Sequence, residues 1–358
     1  MANNLIVNFN ALKTFPLSQK ATGFLYGLSE PNIPTVDLLK GINPKFIVQK
    51  VVDGLQHPTG DGIRLESMAD AVDVEHIQIY LQDMYLEWPY ETKDTLAETL
   101  EDYYERVLNK IEKMQRITGD ATLKKYNFIL FNEPDEFWFK GNLAGYFSAW
   151  RELYNRVKAL NPEIKCAGPA TANYSKEWVL DYLDYCHEND CLPDIVVWHE
   201  LFDRADAEDS LVSFHEHWRQ IQEKIQEYYI DKGLEKPIAV VNEYALFEDM
   251  GAGGALLPWL AMFEEAGIYA CSAYWGLANT ANELAADANI PNSAWWLYKW
   301  YNDLTGERMD VSTENNKVAG NYGIGSIDQE NKTAYVIFGG QSGVQTAYIN
   351  GLGDTKAF

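Results

Sequence analysis

The chain is short of positive charge. Against 53 acidic side chains it carries only 29 lysines and arginines, a formal net charge of −24 over 358 residues. Recognition of phosphate needs clustered cations, so this imbalance excludes nucleic acid and anionic membranes as partners. A polyanionic substrate would be repelled unless a cleft carried its own basic patch. A neutral ligand suits such a surface.

Cysteine is scarce, with four in the chain. Cys166 and Cys271 fall inside apolar, strand-like runs and read as small core residues. Cys186 and Cys191 flank the segment CHENDC and could close a local disulfide in an oxidising compartment. As a zinc site the same segment adds only His187, too few ligands for a closed tetrahedral centre. Long apolar runs are also missing, and none approaches the roughly 20 residues that span a bilayer. The opening MANNLIVNFNALKTFP lacks the basic-then-apolar pattern of a signal peptide. The expectation is an exported chain whose signal is no longer present, with a cytoplasmic chain as the alternative. Phosphate loops, GxSxG and HExxH are absent, and the turn after the first strand-like run reads GLSEPN, without dinucleotide-loop spacing. His215 and His217 of the HEH segment stand two residues apart on a helical stretch and so point apart. No cofactor or metal is expected. Oligomeric state is not legible.

What is present is a large apolar inventory, 47 % hydrophobic and 13 % aromatic. Short apolar runs alternate with helix-period segments. The runs are ATGFLYGL ending near Leu28, KFIVQK near Lys50, HIQIYLQ near Gln82, NFILFNE at 127–133, IKCAGP at 164–169, DIVVWHE at 194–200, IAVVNEY at 238–244 and IYACSAYWG at 268–276. Several are almost wholly apolar, as strands buried on both faces must be. Between them, stripes at helical spacing run over Leu96–Met114, Tyr146–Leu160 and Leu211–Tyr228, the second ended by Asn161-Pro162. This alternation predicts a (β/α)8 TIM barrel over residues 18–310. Beyond it, NYGIGSID, TAYVIFGG and QTAYIN read as antiparallel strands. They are expected to join the N-terminal LIVNFN in a small β-sandwich-like unit made of residues 1–17 and 311–358, or to open a longer β unit.

The fourth run ends in Phe131-Asn132-Glu133-Pro134 and the seventh in Val241-Asn242-Glu243-Tyr244. Side chains at the C-terminal ends of barrel strands meet in one mouth. Two carboxyl groups there suit glycosidic cleavage, one protonating the leaving oxygen and one attacking the anomeric carbon. A glutamate at a strand end is otherwise a solvated loop residue, so it is the pairing that carries the reading.

The pattern resembles clan A retaining glycoside hydrolases, whose acid/base is the Glu of an Asn-Glu-Pro ending strand four and whose nucleophile is a Glu ending strand seven. That resemblance makes Glu133 the acid/base and Glu243 the nucleophile. NEPDEFW at 132–138, AGPATA at 167–172 and PDIVVWHEL at 193–201 are most similar to family 39, while families 5, 30 and 79 share most of these features. One position departs from the pattern: Asn242 stands where many clan members carry threonine or another small residue. The resemblance implies that Asn132 contacts the sugar 2-hydroxyl and that Trp275 lies under the sugar. His199 and Glu200, ending the sixth run, are expected at the mouth, and Tyr244 beside the nucleophile. Trp138, Tyr85 and Trp88 are further candidates for stacking on sugar faces. His57, Asp61 and Arg64, in HPTGDGIR, are candidates for shaping the pocket, Arg64 as partner for a uronic acid. Trp150, Trp178, Trp295, Trp296 and Trp300 sit on helical stripes and are expected in the core. The function implied is double-displacement hydrolysis of a β-linked oligo- or polysaccharide. The alternative is a carbohydrate-binding barrel without catalysis.

Overall fold

The computed structural model describes residues 5–9, 13–26, 34–56, 62, 71–86, 96–201, 207–245, 249–273, 289–313, 322–339 and 346–351. Trp88, Trp275, His57, Asp61 and Arg64 lie outside the described residues.

Two short strands, β1 (Leu5–Asn8) and β2 (Thr14–Pro16), come first. Then follow β3 (Gly23–Leu25), β4 (Phe46–Lys50), β5 (His76–Tyr80), β6 (Tyr126–Ile129), β7 (Lys165–Pro169), β8 (Ile195–Glu200), β9 (Ile238–Tyr244) and β10 (Tyr269–Ser272). Strands β3 to β10 pair in parallel, in sequence order, and β10 returns to β3 to close the barrel. Each matches one of the apolar runs, because a strand with helices on one side and the barrel interior on the other must be apolar on both. On β8, Ile195 and Val197 point inward with Val48, Ile129 and Val240. Val196 and Trp198 point out to the helices.

Closure depends on a close approach. A Cβ on Gly23 would lie 2.3 Å from the Ala270 carbonyl oxygen and 2.5 Å from Cys271 Sγ, so β3 meets β10 at a distance only glycine permits.

Helices Leu96–Thr118, Leu143–Leu160, Ala207–Ile225, Gly253–Ala266 and Ser293–Asn302 pack around the barrel. In Leu143–Leu160 the Asn142 side chain accepts from the Gly145 N–H, and Tyr146, Trp150, Leu153 and Val157 form the buried stripe. The helix stops at Asn161, before Pro162, as the sequence predicts. In Ser293–Asn302 the core face is taken by Trp295, Leu297, Tyr298 and Tyr301. Trp296 and Trp300, expected in the core, share the opposite stripe one turn apart and are 44 % and 53 % exposed.

After the barrel come β11 (Glu307–Met309), β12 (Val311–Thr313), β13 (Tyr322–Asp328), β14 (Thr333–Gly339) and β15 (Ala347–Asn350). They form two small sheets, β12-β1-β15 and β14-β13-β11-β2. Strand β1 thus runs antiparallel to β12 and parallel to β15. Leu5, Val7, Phe9 and Met309 make a core of their own. All four cysteines are buried free thiols, Cys186 and Cys191 included. Among the described residues no helix is long and apolar enough to cross a membrane.

Candidate active site

The C-terminal ends of β5, β6, β8 and β9 bring together the polar side chains that the apolar runs would otherwise exclude. Glu133 follows β6. Its backbone adopts φ +45°, sparsely populated for a residue with a Cβ. Two latches hold that turn against the end of β7. The Glu133 N–H donates to the Ala170 carbonyl at 2.8 Å. Asp135 Oδ1 accepts from the Ala172 N–H at 3.0 Å. Beneath the turn, Phe131 packs edge-on against Phe139 and Tyr146.

Glu243 reaches the same space by a different device. Strict alternation along β9 would send it outward, since Val240 and Asn242 face in and Val241 faces out. The pairing with β8 steps from Trp198–Val241 to His199–Glu243. The pairing with β10 steps from Ala270–Val241 to Ser272–Tyr244. Strand β9 therefore carries one extra residue, a β-bulge, and both Asn242 and Glu243 point into the barrel.

His199 lies between the two carboxylates and is fully buried. Its Nδ1 is 3.2 Å from Glu133 Oε1 and its Nε2 is 3.8 Å from Glu243 Oε1. The Tyr80 hydroxyl donates to Glu243 Oε1 at 2.5 Å. One donor atom each from Glu133, His199 and Glu243 lies within 4.8 Å of the others. The sequence offered no metal-ligand set by spacing, yet the fold assembles these three. Their atoms are engaged with one another and with Tyr80.

Burial dominates the electrostatics. It pushes the Glu243 carboxyl up to about 7; the nearby Glu133 charge adds to the push, while His199 and the Tyr80 hydrogen bond oppose it. Burial alone would lower His199, but Glu243 and Glu133 outweigh it and the imidazole titrates above its ordinary value. Burial also raises Asp135 to about 6, against the pull of the Ala172 N–H.

The other expected site residues divide. Asn132 is buried beside Glu133, and its backbone N–H donates to the Gln82 side chain. Glu200 and Tyr244 correct the sequence reading. Glu200 follows the inward His199 and so faces the helices, where Oε1 accepts from Trp198 Nε1 at 2.8 Å and lies 3.0 Å from His217 Nδ1. Tyr244, next after the bulge, also points outward, hydrogen-bonding Tyr298 at 2.7 Å and packing edge-on against Phe263. Tyr85 and Trp138 are half-buried and pack on Tyr103 of the helix behind β6.

Sequence reasoning missed Tyr80, Gln78, Asn127 and Asp135. For the first two the signal was present: in HIQIYLQ the polar Gln78 and Tyr80 alternate with Ile77 and Ile79, which marks an inward polar face on a strand buried on both sides. Asn127 stands alone in its run, and Asp135 is legible only through its contact with residue 172.

A parallel eightfold barrel with two carboxyl groups converging at its C-terminal mouth is the arrangement of retaining glycoside hydrolases. The model of glycosyl hydrolases family 39 matches residues 89–238. A 3-O-β-L-arabinopyranosyl-α-L-arabinofuranosidase of Bifidobacterium pseudocatenulatum is 29 % identical across 89 % of this chain and 37 % of its own length. A 3-O-α-D-galactosyl-α-L-arabinofuranosidase of Bifidobacterium longum subsp. longum is 28 % identical across 89 % of this chain and 32 % of its own. The chain thus spans about a third of the length of these two relatives. Among solved structures, N2152 from Neocallimastix frontalis superposes with a TM-score of 0.79 at 23 % identity, covering 98 % of this chain and 84 % of that one. A family 39 enzyme from Xanthomonas axonopodis pv. citri superposes at 0.60 and 15 % identity, covering 92 % and 74 %. These two likenesses concern the fold. The chain is thus similar to glycosyl hydrolases of family 39 over residues 89–238 and to the two arabinofuranosidases over most of its length.

Proposed function

We propose that the chain cleaves glycosides with retention, by double displacement, with Glu133 as acid/base and Glu243 as nucleophile. The observation that carries this is the approach of the two carboxylates, with donor atoms within 4.8 Å. Retention uses carboxyl groups roughly 5–5.5 Å apart, whereas inversion needs about 6.5–9.5 Å to admit a water. In this reading Glu133 protonates the leaving oxygen while Glu243 attacks the anomeric carbon. Once the aglycone leaves, Glu133 takes a proton from water, which releases the sugar from Glu243.

For the substrate, the names of the two relatives put α-L-arabinofuranosides ahead of other glycosides. The net charge of −24 supports a neutral sugar. The test is hydrolysis of aryl α-L-arabinofuranosides, aryl β-D-xylosides and arabinose-bearing polysaccharides, beside the Glu243→Ala variant, with the product anomer followed by NMR from the first turnovers. Product of retained configuration, from the intact protein alone, is the expected result. An inverted first product, or turnover equal in the variant, would overturn the assignment. Activity lost to a chelator and restored by a divalent cation would replace it with a metal-dependent hydrolase. Sugar-induced thermal stabilisation without product would favour a binding barrel.

A further inference from the structure

Below the carboxylates, three buried amides cross the barrel interior in a chain. Gln78 Nε2 on β5 donates to Asn127 Oδ1 on β6 at 2.8 Å. Gln78 Oε1 accepts from Asn242 Nδ2 on β9 at 3.0 Å. The same Asn242 Nδ2 donates to the Tyr80 hydroxyl oxygen at 2.9 Å. At the top, the Tyr80 hydroxyl donates to Glu243 Oε1. Gln78, Asn127 and Asn242 are essentially without solvent access. Water therefore offers them no alternative partner.

We infer that Asn242, oriented by Gln78, is a positioning residue that aims the Tyr80 hydroxyl proton at Glu243. A phenol has one proton to give. With Asn242 donating into the phenolic oxygen, and His199 Nε2 only 3.4 Å from it, that oxygen is committed as an acceptor. The proton is left to Glu243. An amide is required at 242 because the nitrogen must reach Gln78 and Tyr80 together; the shorter threonine of the related pattern has no such fork. Asn242 touches no reacting atom and acts through Tyr80. The inference rests on Glu243 being the nucleophile only for its kinetic consequence, not for its geometry.

Among the described residues, the groups facing Glu243 are Tyr80 from β5, Glu133 from the turn after β6 with Asp135 behind it, His199 from β8 and the Cys271 thiol from β10. Loss of the aimed proton removes a stabilising bond from the charged form of Glu243. The experiment follows the Glu243 carboxyl by NMR of the full chain with 13C-labelled glutamate side chains, assigned through Glu243→Gln, in Tyr80→Phe, Asn242→Leu and the double variant. The acidic limb of kcat/KM is recorded alongside. We expect Asn242→Leu to move the Glu243 midpoint upward by about one pH unit. The double variant should titrate like Tyr80→Phe alone. An unmoved midpoint in Asn242→Leu, or additive shifts in the double variant, would overturn the inference. Should Asn242→Leu fail to fold, Gln78→Met removes the orienting acceptor and is expected to shift the midpoint in the same direction by a smaller amount. A midpoint that moves in a protein without glycosidase activity would sink the proposed function and leave this inference standing.

Discussion

The His199 imidazole presents Nε2 to Glu243 Oε1 at 3.8 Å, with its other nitrogen already turned to Glu133. A protonated His199 thus favours the ionised form of Glu243. Replacing it by glutamine, which keeps hydrogen-bonding capacity but no charge, leaves burial less opposed. The acidic limb of kcat/KM should move upward by about one pH unit in His199→Gln. A pH–rate profile against wild type checks this, and an unchanged limb would show that the imidazole is neutral in the working enzyme.

The wild-type profile has a defined sign. In the proposed double displacement Glu243 must be ionised to attack, and burial holds its carboxyl up to about 7. Activity should therefore fall as the pH drops below about 7. A profile flat down to pH 5 would mean that Glu243 is a stronger acid than its burial makes it.

The same carboxyl couples pH to stability. In the unfolded chain Glu243 ionises near its ordinary value, about 4.3, whereas in the folded chain it holds its proton up to about 7. The folded state binds more protons across that window, so Glu243 makes stability decline as the pH rises through it. The raised His199 contributes in the same direction. Glu243→Gln should flatten that decline and be more stable than wild type at pH 8 by about 0.5–2 kcal/mol, seen as a higher melting temperature. Thermal unfolding of both proteins at pH 5 and pH 8 is the measurement.

The two glutamates should fail differently. Glu243→Ala is expected to lower kcat by at least about 10³-fold on every substrate, or about 4 kcal/mol of transition-state stabilisation. Glu133→Gln should spare the first step on aryl glycosides with good leaving groups and lose it on natural linkages. Equal losses on both substrate classes would point to another proton donor.

Barrel closure gives a prediction independent of chemistry. Gly23→Ala forces a Cβ within 2.3 Å of the Ala270 carbonyl, so β3 and β10 must part. We expect a loss of about 1–3 kcal/mol in denaturant unfolding.

Much of this was legible because a parallel barrel leaves a strong trace. Its strands are apolar on both faces, so NFILFNE and IAVVNEY announce both a strand and the polar residues that end it. What escaped was orientation. Alternation is a reliable guide on β8, where Glu200 follows the inward His199 and turns to Trp198 and His217. It fails on β9, where the bulge is visible only in the register with the neighbouring strands. The role of Asp135 depends on a contact with residue 172, across a helix and a strand. Such pairings carry no local signal.

The bulge also sets a rule of parity for the site. Both neighbours of β9 skip a residue at the same step, so a deletion there leaves the register beyond it unchanged on both sides. Removing Asn242 would place Glu243 directly after the outward Val241 and so still inward, opposite His199, with Tyr244 still packed outward against Trp259 and Phe263. What the interior would lose is the amide between Gln78 and the Tyr80 hydroxyl. The extra residue thus adds a side chain to the barrel interior without changing the odd-and-even count of the residues that follow it.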